Sequence, residues 1–144
     1  MKDKAEVVVI GGGVVGCSVL YHLTKAGCTD VVLLERKELT AGSTWHAAGG
    51  MHTLNGDPNV AALQRYTIKL YEELEELTGV DCGIHLTGEL MLADNEDRMD
   101  WLKMAHARGR YMGMETEIIS TSEAKNLVPF LEEQYFVGAL WDPV

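Results

Sequence analysis

Glu6 is the last polar residue before an unbroken apolar run, Val7-Val8-Val9-Ile10, which ends in three glycines. A short β-branched run without alternation predicts a strand over residues 5–10 that is buried on both faces, as in a parallel sheet. Gly11-Gly12-Gly13-Val14-Val15-Gly16 follows at once. The pattern then becomes helical over residues 17–26, with Val15, Val19, Leu20 and Leu23 along one side and Gly27 as the stop. Residues 30–35 predict a second buried strand. Strand, helix and strand together make a βαβ unit of about 30 residues.

From residue 36 to residue 56 the periodicity fades. Residues 42–50 are mostly small, which predicts a long loop, and long loops in compact domains are commonly functional. Trp45, His46 and His52 argue against disorder there. Asp57-Pro58 then opens a helix, with Asp as N-cap and Pro at the first helical position. Its apolar stripe is Val60, Leu63, Thr67, Leu70, Leu74 and Leu77, and Gly79 ends it. Glu72, Glu73, Glu75 and Glu76 read as a solvated face rather than catalytic carboxylates. Beyond them the pattern predicts a strand over 88–93, then a helix over 95–108 capped by Asp94 and stopped by Gly109. A strand over 114–119 comes next. Ser120 to Glu123 forms a capping box for a short helix ending before Pro129. A last strand spans 135–141, and Asp142-Pro143-Val144 begins a turn. The alternation implies an α/β fold. Its first part, residues 1–56, is a Rossmann-type unit that starts a parallel sheet with helices on both faces, and residues 57–144 form a second part.

Composition narrows the function class. Twelve Lys and Arg against 22 Asp and Glu give a net charge of −10, which argues against nucleic acid as a partner. The 47% hydrophobic content supports a packed core. No apolar run approaches the roughly 20 residues that span a bilayer, so no membrane partner and a cytoplasmic location are expected. Cys17, Cys28 and Cys82 show no CxxC spacing and fit a reducing compartment, with Cys17 on a buried helix face. His22, His85 and His106 have no metal-ligand spacing and read as packed or surface residues, so no metal is expected. Met91, Met99, Met104, Met112 and Met114 read as core filler.

The glycine pattern carries chemistry because strand and helix flank it. Gly11 permits the tight turn, Gly13 lets the backbone approach a pyrophosphate, and Gly16 lets the helix pack against the strand. The helix start at Val14 and Val15 offers free N–H groups and a partial positive charge to phosphates. Glu35 ends the second strand, where an acid accepts hydrogen bonds from ribose hydroxyls. Its charge would repel a 2′-phosphate and so disfavours NADP.

The motif alone does not choose between NAD and FAD. Glu35-Arg36 with Leu39-Thr40-Ala41-Gly42-Ser43-Thr44-Trp45-His46-Ala47-Ala48-Gly49-Gly50 resembles the second FAD signature of the D-amino-acid-oxidase superfamily. More narrowly, it resembles the dimethylglycine and sarcosine dehydrogenase family. The resemblance continues through residues 70–79, the Gly88 strand and residues 138–143, nearly the whole chain. It implies FAD as cofactor, held by Gly11, Gly13, Val14, Val15, Gly16, Glu35, Arg36, Gly42, Ser43, Thr44, Ala48, Gly49 and Gly50. It also implies that His46 is joined covalently to the flavin 8α-methyl. The chemistry agrees: an imidazole of ordinary pKa, about 6.5, is largely neutral and nucleophilic at pH 7. A covalent 8α bond is expected to raise the flavin potential, which favours hydride abstraction from an amine. Trp45 either lies against the isoalloxazine or wedges the loop, and His52 is a further candidate near the flavin.

The resemblance implies oxidative N-demethylation of dimethylglycine or sarcosine, with an electron-transferring flavoprotein or another acceptor, and with the iminium hydrolysed or its one-carbon unit passed to tetrahydrofolate in the full-length parent. Two other readings stay open: a glycine- or amino-acid-oxidase-like enzyme using oxygen, and a non-catalytic regulatory relative. Family members continue past the equivalent of Val144, so the chain reads as an incomplete, N-terminal part of a longer enzyme, with residues 57–144 the start of its substrate domain, inserted in the FAD domain, and with no catalytic residue assignable within it. Residues 1–144 expressed alone are therefore expected to bind FAD weakly, not to attach it, and to oxidise neither amine. Flavin absorbance after desalting and a dye-reduction assay check this, and a yellow, active protein would contradict it.

Overall fold

The computed structural model describes residues 3–144. The chain separates into two compact units, one up to Gly49 and one from Gly50 to Val144. The segment 50–56, placed with the first part by sequence pattern, thus folds with the second unit.

In the first unit, β1 (Val7–Ile10) pairs in parallel with β2 (Val31–Leu34), with Val7 opposite Val31 and Ile10 opposite Leu34. Helix α1 (Val14–Lys25) connects them, as a parallel pair requires. Side chains alternate along β1, so Val9 is buried while Val8 and Ile10 emerge on the opposite face. Ile10 is 85% exposed and its register partner Leu34 52% exposed. The expectation of strands buried on both faces is therefore corrected, because within this unit α1 covers only one face. The predicted α1 stripe is also only partly covered: Leu20 and Leu23 are half-buried, whereas Val15 and Val19 are exposed. Cys17 is half-buried, with Sγ 3.7 Å from the Gly12 carbonyl.

The second unit begins with α2 (Pro58–Thr78). Asp57 Oδ1 accepts from the Asn59 and Val60 N–H groups, and Gly79 closes the helix in the left-handed conformation at φ 68°. Ala61, Ile68 and Leu70 face inward, but Val60, Leu63 and Leu77 of the predicted stripe stay exposed. A three-stranded antiparallel sheet follows in the order β3 (Glu89–Ala93), β5 (Gly138–Asp142), β4 (Glu117–Ile119). Central β5 presents alternate residues to two clusters. Leu140 packs with Ala93 and with Met99 and Leu102 of α3 (Glu96–Tyr111). Ala139 packs with Ile119, with Leu131 and with Ala124 of α4 (Thr121–Leu127). Small residues on β5 admit this close packing, and a Cβ at Gly138 would stand 3.0 Å from Met99 Sδ. Of the predicted core methionines, Met99 and Met114 are buried but Met104 is exposed.

Several boundaries differ from the sequence pattern. Asn95, not Asp94, caps α3, its side chain accepting from the Arg98 N–H at 2.8 Å. The helix also runs past Gly109, which is buried where a Cβ would meet Leu54 and Thr116. It ends at Gly113 (φ 76°), where the Gly113 N–H donates to the Arg110 carbonyl and the Met114 N–H to that of Gly109. The Ser120–Glu123 capping box is present. Tyr135, expected to open the last strand, instead ends a 3-10 turn over Glu133–Tyr135, and β5 begins only at Gly138. Asp142 is the buried end of β5 as well as the start of the turn, accepting from Thr53 Oγ1 at 2.9 Å and from the Val144 N–H at 3.3 Å. No helix among the described residues is long and apolar enough to cross a membrane.

Two left-handed glycines give a paired test. At Gly88 (φ 73°) an added Cβ would collide with the Trp141 ring and approach the Asp142 carbonyl at 2.7 Å, whereas at Gly113 it would meet open space. Gly88→Ala is expected to lower stability by about 2–4 kcal/mol, from backbone strain plus overpacking. Gly113→Ala should cost about 1–2 kcal/mol, from strain alone. Urea unfolding of the two variants checks the difference.

Candidate functional site

The candidate site is built on the turn between β1 and α1. Gly11 adopts φ 106°, and its N–H donates to the Leu34 carbonyl at 2.8 Å, tying the turn to the end of β2. Only glycine takes that backbone readily. A Cβ at Gly16 would collide with the Gly11 carbonyl, which is why helix and strand can lie so close. Gly13 is the N-cap of α1 and has no side chain with which to cap it. Val14 and Val15 start the helix with exposed side chains. First-turn N–H groups have no partner within the helix itself; Thr44 Oγ1 takes that of Val14 at 2.9 Å, and the Val15 N–H faces the position suited to an anionic ligand.

Glu35 stands just past β2 with both oxygens engaged. Oε2 accepts from the Gly12 N–H at 2.7 Å and Oε1 from the Lys37 N–H at 2.8 Å. The Gly12 bond first, then the Lys37 bond, holds this carboxyl below the ordinary carboxylate range, and the neighbouring Arg36 charge adds to the effect. The group is therefore ionised at neutral pH and already oriented. A carboxylate has about four lone-pair sites, so capacity remains for ribose hydroxyls.

Gly12, a mere spacer in the motif, is a site residue that sequence reasoning missed. Its N–H holds Glu35, its carbonyl accepts from the Thr40 N–H at 2.9 Å, and a Cβ there would press on Leu39 and Glu35. Thr40 was missed too. It adopts φ 65°, unusual for a β-branched residue, and turns the chain back over the glycines. A third consecutive glycine was the available signal for Gly12, whereas Thr40 stood in the Leu39–Gly50 run with nothing in its residue type to mark a left-handed backbone.

The loop after Thr40 brings Thr44 to the helix start: the Val14 N–H donates to Thr44 Oγ1 at 2.9 Å. His46 follows in an exposed position, with Nδ1 2.9 Å from the Gly42 carbonyl. A carbonyl can only accept, so Nδ1 carries the proton and Nε2 is left as the basic nitrogen. Trp45 is 77% exposed and stacks on no ring among the described residues. The structure thus gathers Gly11, Gly13, Val14, Gly16, Glu35, Gly42, Ser43, Thr44 and His46 into one connected set. Val15, Arg36, Ala48 and Gly49 lie on the exposed surface of the same unit, and Gly50 opens the second.

Three other histidines are engaged elsewhere, and the fourth, His85, is exposed. His22 Nδ1 donates to the Ser18 carbonyl at 2.7 Å, and His106 Nδ1 pairs with buried Thr116 Oγ1 at 3.0 Å. His52 Nε2 lies 3.2 Å from the Gln64 amide in the second unit. Among the described residues no group of three His, Cys, Asp or Glu is placed to hold a metal ion.

The family model described as FAD dependent oxidoreductase matches residues 6–144. The chain belongs to that family. Dimethylglycine dehydrogenase of Rattus norvegicus is 45% identical over 142 residues, covering 99% of this chain and 17% of the relative. Sarcosine dehydrogenase of Homo sapiens and the pyruvate dehydrogenase phosphatase regulatory subunit of Mus musculus are each 41% identical, covering 99% of this chain and 16% of either relative. Among solved structures, L-proline dehydrogenase from P. horikoshii superimposes with a TM-score of 0.89 at 28% identity, over 99% of this chain and 37% of that one. The chain therefore spans about a sixth of the length of its curated relatives.

These relatives overturn one expectation. Composition pointed to the cytoplasm, but the similar dimethylglycine and sarcosine dehydrogenases are mitochondrial proteins, so the cytoplasmic expectation does not stand. Net charge and hydropathy reflect solubility, and the same values serve in either aqueous compartment.

The sign of the Glu35 effect gives a pH prediction. Its pKa is lowered in the folded protein, so its stabilising contribution is present above the unfolded carboxyl value, about 4.3, and is lost as pH falls through the folded value. Glu35→Gln should therefore be less stable than the unaltered protein at neutral pH, with the gap closing in acid. Non-covalent FAD affinity, measured by titration in a His46→Ala background, should fall about ten- to a hundredfold at pH 7.

Proposed function

We propose that this chain is the FAD-binding portion of an amine-oxidising flavoenzyme, acting on a small N-methylated amino acid such as dimethylglycine or sarcosine. The observation that carries this reading is the His46 geometry. An imidazole in the flavin loop has its proton committed to a backbone carbonyl and its basic nitrogen free. The residues present suit FAD: an open glycine turn at a helix start, an ionised and oriented Glu35, and a loop of small residues.

In this reading the chain's own residues bind and orient. The first turn of α1 and the Gly13 backbone receive the pyrophosphate, and Glu35 takes the ribose hydroxyls. His46 Nε2 would be the atom that joins the flavin 8α-carbon, with the ring held by Nδ1 against the Gly42 carbonyl. Bound FAD supplies hydride acceptance from the substrate's N-methyl carbon. In the whole protein, an electron-transferring flavoprotein as acceptor and tetrahydrofolate as the one-carbon carrier belong to the same proposal. Similarity to a phosphatase regulatory subunit favours a second reading, a non-catalytic flavin-binding protein.

Acid denaturation of the protein as encoded, followed by flavin fluorescence of the pellet, tests the attachment. Flavin is expected to remain with the polypeptide and to be released by His46→Ala, and full release from the unaltered protein would overturn the assignment. Dye reduction by dimethylglycine and sarcosine decides between the two readings. Covalent flavin with no reduction by either amine would favour the regulatory one.

A further inference from the structure

Helix α1 begins at a glycine and so has no cap of its own. The acceptor that replaces it comes from far along the chain, because Thr44 Oγ1 receives the Val14 N–H at 2.9 Å. The same oxygen lies 2.9 Å from where a Cβ on Gly13 would stand, so the approach is possible only because residue 13 is glycine. The loop is wound in short turns on either side of this anchor. The Trp45 N–H donates to the Thr40 carbonyl at 3.2 Å, the His46 N–H to that of Ser43 at 3.1 Å, and the Ala47 N–H to that of Thr44 at 3.3 Å. The His46 ring is then held to the Gly42 carbonyl. A first tie, from the Thr40 N–H to the Gly12 carbonyl, fixes where the loop starts. Thr44 fixes its middle, two residues before the imidazole.

We propose that Thr44 is a positioning residue: by capping α1 it locks the His46 loop onto the phosphate-binding turn and sets the geometry in which the imidazole meets the flavin. The proposal rests on the reading of His46 given above. The hydroxyl accepts from Val14 with one lone pair and keeps its own proton to donate, so an arriving phosphate oxygen meets a donor without displacing the loop. Reacting atoms must sit about 3–3.5 Å apart, so a loop held only at Thr40 would present Nε2 in that geometry less often.

The test uses the protein as encoded, prepared as apoprotein from a flavin-depleted host. Thr44→Val keeps the shape and removes the acceptor, Thr44→Ser keeps the hydroxyl, and Thr44→Ala replaces valine if that variant does not fold. Hydrogen exchange of the peptide spanning residues 40–49 reads the tether. The growth of acid-stable flavin after saturating FAD is added reads its consequence. One lost hydrogen bond predicts exchange about two- to tenfold faster and attachment slower by a similar factor, with serine restoring both. Unchanged exchange, attachment at the unaltered rate, or failure of serine to rescue would overturn the proposal. So would a valine variant that takes up no FAD at saturation, because the loss would then lie in binding rather than in the placement of the imidazole. If the unaltered protein holds no acid-stable flavin, the His46 reading falls on its own, and the attachment role of Thr44 falls with it. The exchange data then decide the tether alone.

Discussion

A single carboxylate organises the first unit. Glu35 gathers the N–H of Gly12 from one side and that of Lys37 from the other, so the end of β2 is stitched to the turn after β1. Two N–H donors on one ionised group are charge-assisted and stronger than neutral hydrogen bonds. With the turn fixed there, the Gly12 carbonyl is in place for Thr40, and the chain folds back to bring Thr44 over the helix start. The glycine turn, Glu35 and the His46 loop are thus one hydrogen-bonded assembly rather than three neighbouring motifs.

That assembly also accounts for which glycines are indispensable. Gly11 needs its unusual backbone, Gly16 its close contact with the Gly11 carbonyl, and Gly13 its lack of a Cβ beside Thr44. Gly12 serves a different purpose, leaving room for Leu39 and Glu35 on its outer side. The glycines of this turn therefore meet two demands: the backbone and close packing of the turn itself, and space for the chain's own loop to lie against it.

The second unit rests on a different constraint. Its central strand, β5, must satisfy helices on both faces, and alternation sends Leu140 to α3 and Ala139 to α4. The strand ends in a buried carboxylate, Asp142, whose hydroxyl donor Thr53 lies 89 positions earlier in sequence. Burying such a group unpaired would be costly, so the pair pins the segment after Gly50 to the far end of the sheet.

Local signals determined much of this protein. The β-branched run before three glycines fixed β1 and the turn, and Asp57-Pro58 and the Ser120–Glu123 box fixed the starts of α2 and α4. Each depends on residues a few positions apart, where sequence and geometry coincide. The signature around His46 likewise named the family before any coordinates. Other features were decided only by distant contacts. Gly109 could not be read as helical until Leu54 and Thr116 were seen to need the space beside it. Asp142 could not be read as strand until Thr53 supplied its partner. Nor could the exposure of Ile10 and Leu34 be foreseen, because hydrophobicity states what a strand can bury and not what covers it. The anchoring of His46 through Thr44 belongs to this second kind, since its hydrogen bond joins residues 30 positions apart and exists only once the chain has turned back at Thr40.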